Sequence, residues 1–325
     1  MTVTIERRGQ LSPEEVRRVF RLVDAVTDTD GVRPLSEHVM LHLRYGGDEP
    51  GRNLLLHTDG ELIGYAFLDT TDEVEGSSAE LAVSPSHRHA ALARELVETL
   101  VAETPDGRLR LWAHGRNAAA SSLARELGFQ RERVLWQMRR SLFAPLPAPE
   151  FPPGVTLRTF VVGADEDAWI GVNNRAFAAH PDQGHWTLED LCQRENEPWF
   201  DPAGFFLAAR SADDGTERLV GFHWTKVHGG PEHHGLTGPH THDGHGHDLI
   251  GEVYVVGVDP AERGTGLGRA LTLTGLRYLR HLGLPDAMLY VDADNAPAIA
   301  LYTKLGFTRW ETDVMFSRNG SQPDG

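Results

Sequence analysis

The sequence predicts an α+β (mixed α/β) protein of two tandem domains, each a central, mainly antiparallel mixed sheet flanked by helices. Three observations predict it. The chain contains one long unit twice: Leu81-Ala-Val-Ser-Pro-Ser-His-Arg88 answers Val256-Gly-Val-Asp-Pro-Ala-Glu-Arg263, 175 positions on. Likewise Asn117, followed by Leu127-Gly128-Phe129, answers Asn295, followed by Leu305-Gly306-Phe307, 178 positions on. A repeat of this length means tandem domains, because solenoid units are far shorter. Between the copies, Ser141 to Gly154 carries five prolines and no periodicity, which reads as a linker. Finally, each copy mixes short β-branched runs with helical patterns in an order that suits a sheet covered by helices. The expected division is therefore a first domain at 1–140, a linker at 141–154 and a second domain at 155–325.

In the second copy the elements follow in order. Apolar and β-branched residues predict a strand near 155–161, and helical spacing predicts helices near 165–178 and 187–193. Strands follow near 205–209 and 219–227, then Val253-Tyr-Val-Val-Gly-Val258, which ends a strand just before a loop. Helical spacing resumes over 270–282, a strand is expected at 287–291, and a closing helix opens at Asn295. Asn295 can cap that helix, Pro297 falls in its first turn where a missing N–H costs little, and Gly306 suits a left-handed C-terminal cap. Ala298, Leu301, Tyr302 and Leu305 share one face of it, and a last strand is expected at 308–316.

Composition bounds the function. With 325 residues, 40% hydrophobic and 24% charged, the chain is long enough for two ordinary cores. A formal charge of −16 disfavours nucleic acid as a partner, because its phosphates would be repelled. Cys192 is the only cysteine, which excludes an intramolecular disulfide and a cysteine-based zinc site. No apolar run approaches membrane-spanning length and Met1 to Arg8 holds no signal-peptide hydrophobic region, so a cytoplasmic location without membrane contact is expected, with a monomer as the simplest state.

The chemistry concentrates between Val258 and Arg269. The order is strand, short loop rich in arginine and glycine, then helix, with glycines at 264, 266 and 268. Small residues there let backbone N–H groups approach a diphosphate at the positive end of a helix dipole. Arg263 and Arg269 add charge suited to phosphate. The pattern is neither a Walker loop, since no Gly-Lys-Ser/Thr follows, nor a Rossmann G-x-G-x-x-G.

Arg263-x-x-Gly266-x-Gly268 after a strand ending in V-x-P resembles the acyl-CoA pyrophosphate loop of the GNAT superfamily of N-acetyltransferases, and Asn295-x-x-Ala-x-x-Leu-Tyr302-x-x-Leu-Gly306-Phe307 resembles the signature that closes the same site. The resemblance implies acetyl-CoA as cosubstrate, held along Val256, Gly257 and Val258. It also implies contacts from Arg263, Gly264, Thr265, Gly266, Leu267, Gly268 and Arg269, and from Asn295, Ala296, Pro297, Ala298, Ile299 and Ala300. Transfer of an acetyl group to an amine needs a neutral nucleophile, a stabilised oxyanion and a protonated leaving thiolate. Glu252, at the strand end away from the phosphates, is the candidate base, and Tyr302 the candidate proton donor to sulfur. As a bland reading, Glu252 is a solvated strand-start carboxylate and Tyr302 a core tyrosine. An amide of Val256 to Val258 is the candidate oxyanion donor, with Gly257 expected to let the strand splay.

The first copy departs from the pattern. Ala91 and Ala93 replace the two key glycines, and Ala124 stands at the tyrosine position. A Cβ there obstructs close approach to phosphate, so this copy is expected to be catalytically silent, with a weaker CoA site through Leu81, Ala82, Val83 and Arg88. Tandem domains with a degraded first copy resemble the mycothiol synthases. That resemblance implies acetylation of the cysteinyl amine of cysteinyl-glucosaminyl-inositol, a small-molecule acceptor touched by Glu37, Asp182, Lys226, Glu252 and Tyr290. Glu37 reads equally well as a first-turn carboxylate after Pro34 and Ser36. Asp182 is shorter than the glutamate expected there. An enlarged segment from His228 to Asp248 holds seven histidines, which suits adventitious metal; no metal is expected to be required. Two other readings stand beside this one: the same chemistry on another small amine or amino sugar, and a non-catalytic acyl-CoA sensor, to which a proton donor at sulfur would be superfluous.

Overall fold

The structure is a computed structural model that describes residues 3–46, 52–72, 76–88, 90–115, 117–178, 186–211, 216–228 and 249–320. It divides into two compact units. The first comprises Met1–Trp136, Asp292–Asp294 and Glu311–Gly325; the second comprises Gln137–Val291 and Asn295–Trp310.

The first unit contains β1 (Val3–Arg8), α1 (Pro13–Asp30), α2 (Glu37–Tyr45), β2 (Arg52–Thr58), β3 (Glu61–Asp69), β4 (Ser77–Val83), α3 (Ala90–Glu103), β5 (Leu109–Ala113) and α4 (Ala118–Glu126). It also takes the first part of β6 (Gln130–Ser141) and most of β12 (Thr308–Arg318). Its strand order is β1-β2-β3-β4-β5-β12, antiparallel except for the β4–β5 pair. Helix α1 starts where a capping box is written in the sequence: Ser12 accepts from Glu15 N–H, Glu15 reaches back to Ser12 N–H, and Pro13 opens the helix. It ends at Gly31, whose φ of 70° suits a left-handed cap. Val19, Val23, Val39 and Tyr65 form the core on the α1–α2 side, and Leu54, Leu96, Leu100 and Phe316 the core on the α3 side.

The second unit contains β7 (Val155–Thr159), α5 (Glu166–Ala176), α6 (Leu188–Glu195), β8 (Phe205–Ser211), β9 (Glu217–His228), β10 (Ile250–Val258), α7 (Leu267–His281), β11 (Asp286–Asp292) and α8 (Ala296–Lys304). Its strand order is β6-β11-β10-β9-β8-β7, with β10 and β11 parallel and the pairs from β10 to β7 antiparallel. One face carries α5, where Trp169 packs edge-on against Phe205, Phe222 and Trp224. The other carries α7, whose Leu267 and Leu271 pack on Ala208 and Val220. The mixed, mainly antiparallel sheets expected from the repeat are therefore present in both units.

These units differ from the sequence division at their last strands. Residues 311–318 of β12 pair with β5 of the first unit, from Val314↔Ala113 to Arg318↔Leu109, while residues 137–141 of β6 belong to the second. Local patterning identifies a strand but not its pairing partner, which is a non-local choice. The proline-rich stretch also differs from a free spacer. Leu142 and Leu146 are buried, Leu142 N–H donates to Pro285 O at 2.7 Å, and Arg280 donates to Ala144 O at 2.6 Å. Lack of periodicity excludes a regular element there; it does not exclude packing.

Candidate active site

Strand β10 organises the site through two departures from regular pairing. Its parallel register with β11 ends at Glu252↔Met288, although β10 runs on to Val258 and β11 to Asp292. Beyond that point the β11-facing edge of β10 is released from the ladder. On its other edge, the register with β9 shifts between Val253↔Thr225 and Val255↔Trp224, a β-bulge at Tyr254. The bulge turns Tyr254 and Val255 to one side: Tyr254 contacts Trp224 and Trp199, and Val255 joins the cluster around Trp169. Val256 and Val258 then turn to the α7 face beside Leu271. The irregularity expected at Gly257 thus lies earlier in the strand. Gly257 is required for another reason, because a Cβ there would stand 2.6 Å from Phe222 Cε1 and 3.2 Å from Ala176 Cβ.

Glu252 is 7% exposed and sits opposite Lys226, which is equally buried. His228, two residues beyond Lys226 on the same strand, donates from Nε2 to Glu252 Oε2 at 2.6 Å. The Lys226 ammonium lies 4.1 Å from the Trp199 ring centre and 5.1 Å from that of Tyr254. Arg194 stacks 4.0 Å over Trp186 and donates to the Tyr254 hydroxyl at 2.8 Å. A carboxylate is thereby held among cationic and aromatic groups on the face opposite α7. Tyr290 stands on the same face, two residues after Met288.

At the far end of β10 the loop sorts its charges. Asp259 accepts from Ala261 N–H at 3.0 Å and pairs with Arg175 and Arg218 at 2.9 and 3.0 Å. Burial pushes its carboxyl up, but those bonds outweigh burial and hold it below its usual value. Glu262 is held low by its bond from Arg210 at 2.7 Å. Arg263 and Arg269, by contrast, are exposed and make no ion pair among the described residues. Gly264 and Gly266 have φ of 80° and 89°, with nothing near a hypothetical Cβ. Glycine at those two positions serves backbone conformation rather than room. Helix α7 begins at Leu267, earlier than the pattern over 270–282 indicates, so Gly268 and Arg269 lie in its first turn. In this turn Ala270 N–H donates to Gly266 O and Leu267 N–H to Thr265 Oγ1 at 3.4 Å, which leaves the Gly268 and Arg269 amides for another acceptor.

Helix α8 forms as the sequence predicts. Asn295 accepts from Ala298 N–H at 3.2 Å, Pro297 lies in the first turn, and Gly306 has φ of 87°. Arg140 of β6, itself buried, donates to Leu305 O at the other end of the helix. Tyr302 is buried with its ring edge-on to Phe307, and burial pushes its hydroxyl up to about 12. It therefore stays protonated at neutral pH.

The first unit repeats this parting of two parallel strands without the side chains that surround it in the second. The β4–β5 register ends at Ala79↔Leu111, and β4 has no bulge. Counting from Val83↔Gly64 and Val258↔Gly221, Ser78 opposite Asp69 occupies the place of Glu252 opposite Lys226. Arg88 is paired with Asp30 at 2.7 Å. Leu81 to Val83 close β4 in regular pairing with β3. Glu37 is the first residue of α2 after the Ser36 cap, as its first-turn reading has it. Asp182 and residues 229–248 of the histidine-rich segment lie outside the described residues. Among the described residues no group of His, Cys, Asp and Glu could hold a metal ion, and no helix is long and apolar enough to cross a membrane.

Sequence reasoning missed His228, Trp199, Tyr254 and Arg194. The alternation Lys226, His228 on one strand face was visible, but its significance needs the register with β10. No local signal marks Trp199.

A family model described as the acetyltransferase (GNAT) family matches residues 21–129 and 169–307. A mycothiol acetyltransferase of Acidothermus cellulolyticus is 60% identical over 323 residues, covering 98% of this chain and 96% of that one. One from Streptosporangium roseum is 53% identical, covering 98% and 100%. Among solved structures, a GCN5-related N-acetyltransferase from Sphaerobacter thermophilus matches with a TM-score of 0.64 and 26% identity over 97% of this chain and 95% of that one. A tandem GNAT protein from the clavulanic acid biosynthesis pathway matches with a TM-score of 0.68 at 18% identity over 99% and 100%, a likeness of fold.

Proposed function

Because this chain belongs to the acetyltransferase (GNAT) family, we propose that it moves the acetyl group of acetyl-CoA onto the cysteinyl amine of cysteinyl-glucosaminyl-inositol, giving mycothiol. The observation that carries the reading is the position of Glu252. It is a buried carboxylate at the point where β10 parts from β11, on the strand whose other end feeds the two-arginine, two-glycine loop. The name of these relatives, mycothiol acetyltransferase, supports the acceptor.

The residues fit the cosubstrate. Amides at the start of α7, with Arg263 and Arg269, suit the diphosphate. The released edge of β10 from Val256 to Val258 suits the pantetheine, and Asn295 to Ala300 suit the remainder. Glu252, with His228 and Lys226 around it, binds the incoming ammonium and takes its proton, directly or through one water. An α-amine ionises near pH 7.7–8.0, so a modest base suffices. As the nitrogen attacks the thioester carbon, a β10 amide donates to the oxygen that gains charge. When the C–S bond breaks, Tyr302 gives its proton to the thiolate. A group at about 12 donates to a thiolate near 8.5 only as the bond breaks, so donation is concerted with cleavage. Lys226 and Tyr290 bind acceptor oxygens; Glu37 and Asp182 are proposed as acceptor contacts on the resemblance alone. The first unit, with Ser78 and Asp69 in place of the base and its lysine, is proposed to take no chemical part. Its weaker CoA site at Leu81, Ala82, Val83 and Arg88 would require Arg88 to leave Asp30. With one cysteine in the chain, a cytoplasmic location is proposed.

The test is mass detection of acetylated acceptor from labelled acetyl-CoA, with and without cysteinyl-glucosaminyl-inositol. Acceptor-dependent product supports the reading. Its absence, with an amino sugar acetylated instead, would replace the acceptor; binding of acetyl-CoA with no acceptor used would favour a sensor.

A further inference from the structure

Gln137 lies outside every motif in the sequence, in the stretch that the repeat assigns to the first copy. The structure nevertheless places it in the second unit, on β6 beside β11. It is 8% exposed, and its Nε2 donates to the Tyr290 hydroxyl oxygen at 2.9 Å. Arg139, two residues on, donates from Nε to Gln137 Oε1 at 2.9 Å, and its guanidinium rests 4.6 Å over the Trp310 ring. These neighbours decide which way the amide faces. A guanidinium has only donors, so the amide oxygen must face Arg139 and the amide nitrogen must face Tyr290. An amide nitrogen can only donate, so the Tyr290 oxygen accepts, and its own proton is directed away from Gln137.

Tyr290 is 41% exposed and shares a sheet face with Glu252, through the Glu252↔Met288 register and two further residues, about 7 Å along the strand. We propose that Gln137, oriented by Arg139, is a positioning residue that sets the direction of the Tyr290 hydroxyl, so that Tyr290 donates to an oxygen of the polyhydroxylated acceptor. The acceptor's identity rests on the proposed function; the direction of the hydroxyl does not. A site of this polarity selects a hydroxyl or amide-carbonyl oxygen and discriminates against a group that can only donate.

The test reads the hydroxyl itself and then the reaction, on the full chain. Phenolate absorbance during a pH titration, taken as the difference from Tyr290→Phe, reports ionisation of Tyr290 alone among six tyrosines. An N–H donated to the oxygen favours the ionised form, whereas a carboxylate at 137 accepts from the hydroxyl and disfavours it. Gln137→Glu is therefore expected to move the Tyr290 titration upward by about one pH unit or more. In steady-state kinetics, Gln137→Glu and Gln137→Leu are expected to raise KM for the acceptor by about tenfold while KM for acetyl-CoA stays within about twofold. Adding Gln137→Leu to Tyr290→Phe is expected to cost nothing further. An unmoved titration in Gln137→Glu, or full additivity in the double variant, overturns the proposal. Should Gln137→Leu fail to fold, the isosteric Gln137→Glu still decides. A wild-type chain that does not acetylate the acceptor overturns the proposed function alone, because the titration needs no substrate.

Discussion

Replacing Glu252 with glutamine removes the proposed base while keeping the side chain's volume in a site where the residue is 7% exposed. Loss of a positioned base costs about 10²- to 10⁴-fold in rate, or about 3–5 kcal/mol of barrier. The loss should be confined to chemistry. Glu252 and Val258 are six residues apart on β10, so the loop proposed to hold the phosphates lies about 20 Å from the change. Acetyl-CoA affinity is therefore expected to hold within about twofold, too small a change for loss of even one charged hydrogen bond. The defect should also depend on pH. Without the base, the variant must wait for free amine, which rises from about a tenth to nearly all of the α-amine between pH 7 and 9. The gap from wild type should close by about tenfold over that range. Single-turnover acetylation across pH, beside calorimetric binding of acetyl-CoA, measures both. A variant within threefold of wild type at pH 7 would refute the role of Glu252. So would cosubstrate affinity that falls in parallel with the rate.

Arg269→Ala should raise the KM for acetyl-CoA by about 10- to 100-fold and weaken its salt dependence, with the acceptor KM unchanged; equal effects on both substrates would count against a phosphate contact. Gly257→Ala pushes a methyl against Phe222 and Ala176 inside the α5-face core, and should cost about 1–3 kcal/mol in denaturant unfolding; an unchanged midpoint would mean that the ring has room to move. His223 is fully buried, donates from Nδ1 to Leu271 O, and is pushed down to about 4 by burial, which outweighs that bond's opposite pull. Protons therefore favour the unfolded chain below about pH 6.5, so this contribution is intact above 6.5 and lost as pH falls to about 4, by about 3 kcal/mol at most. Unfolding midpoints of wild type and His223→Gln across that range should diverge; parallel curves would show that His223 carries none of the acid sensitivity. In the first unit, His114 lies between Asp313 and Glu80, which overcome burial and push it up to about 10. Its contribution is intact below about 6.5 and fades as pH rises towards 10, so Asp313→Asn should flatten the alkaline limb of the stability curve.

Much of this was readable before folding because it depends on neighbours in the chain. Glycines with positive φ at 264, 266 and 306, the Asn295 cap and the strand–loop–helix order are local requirements, and local requirements leave residue-type signatures. The proposals of Glu252 as base and Tyr302 as proton donor likewise came from their spacing to those motifs. Trp199 against Lys226, Arg194 on Tyr254, and His228 on Glu252 left no such signature, since each pair comes from separate elements.

The amino-acid order alone settled the duplicated α+β architecture, the glycine-rich turn from strand into helix and the loss of its glycines in the first copy, since backbone conformation and periodicity are written in short windows. Strand partnership was settled only by folding. β12 joined β5, Gln137 came to Tyr290, and the bulge fell at Tyr254 rather than Gly257. Hydrogen-bond ladders are satisfied by any strand of suitable register, so the choice among them falls to the packing of distant side chains.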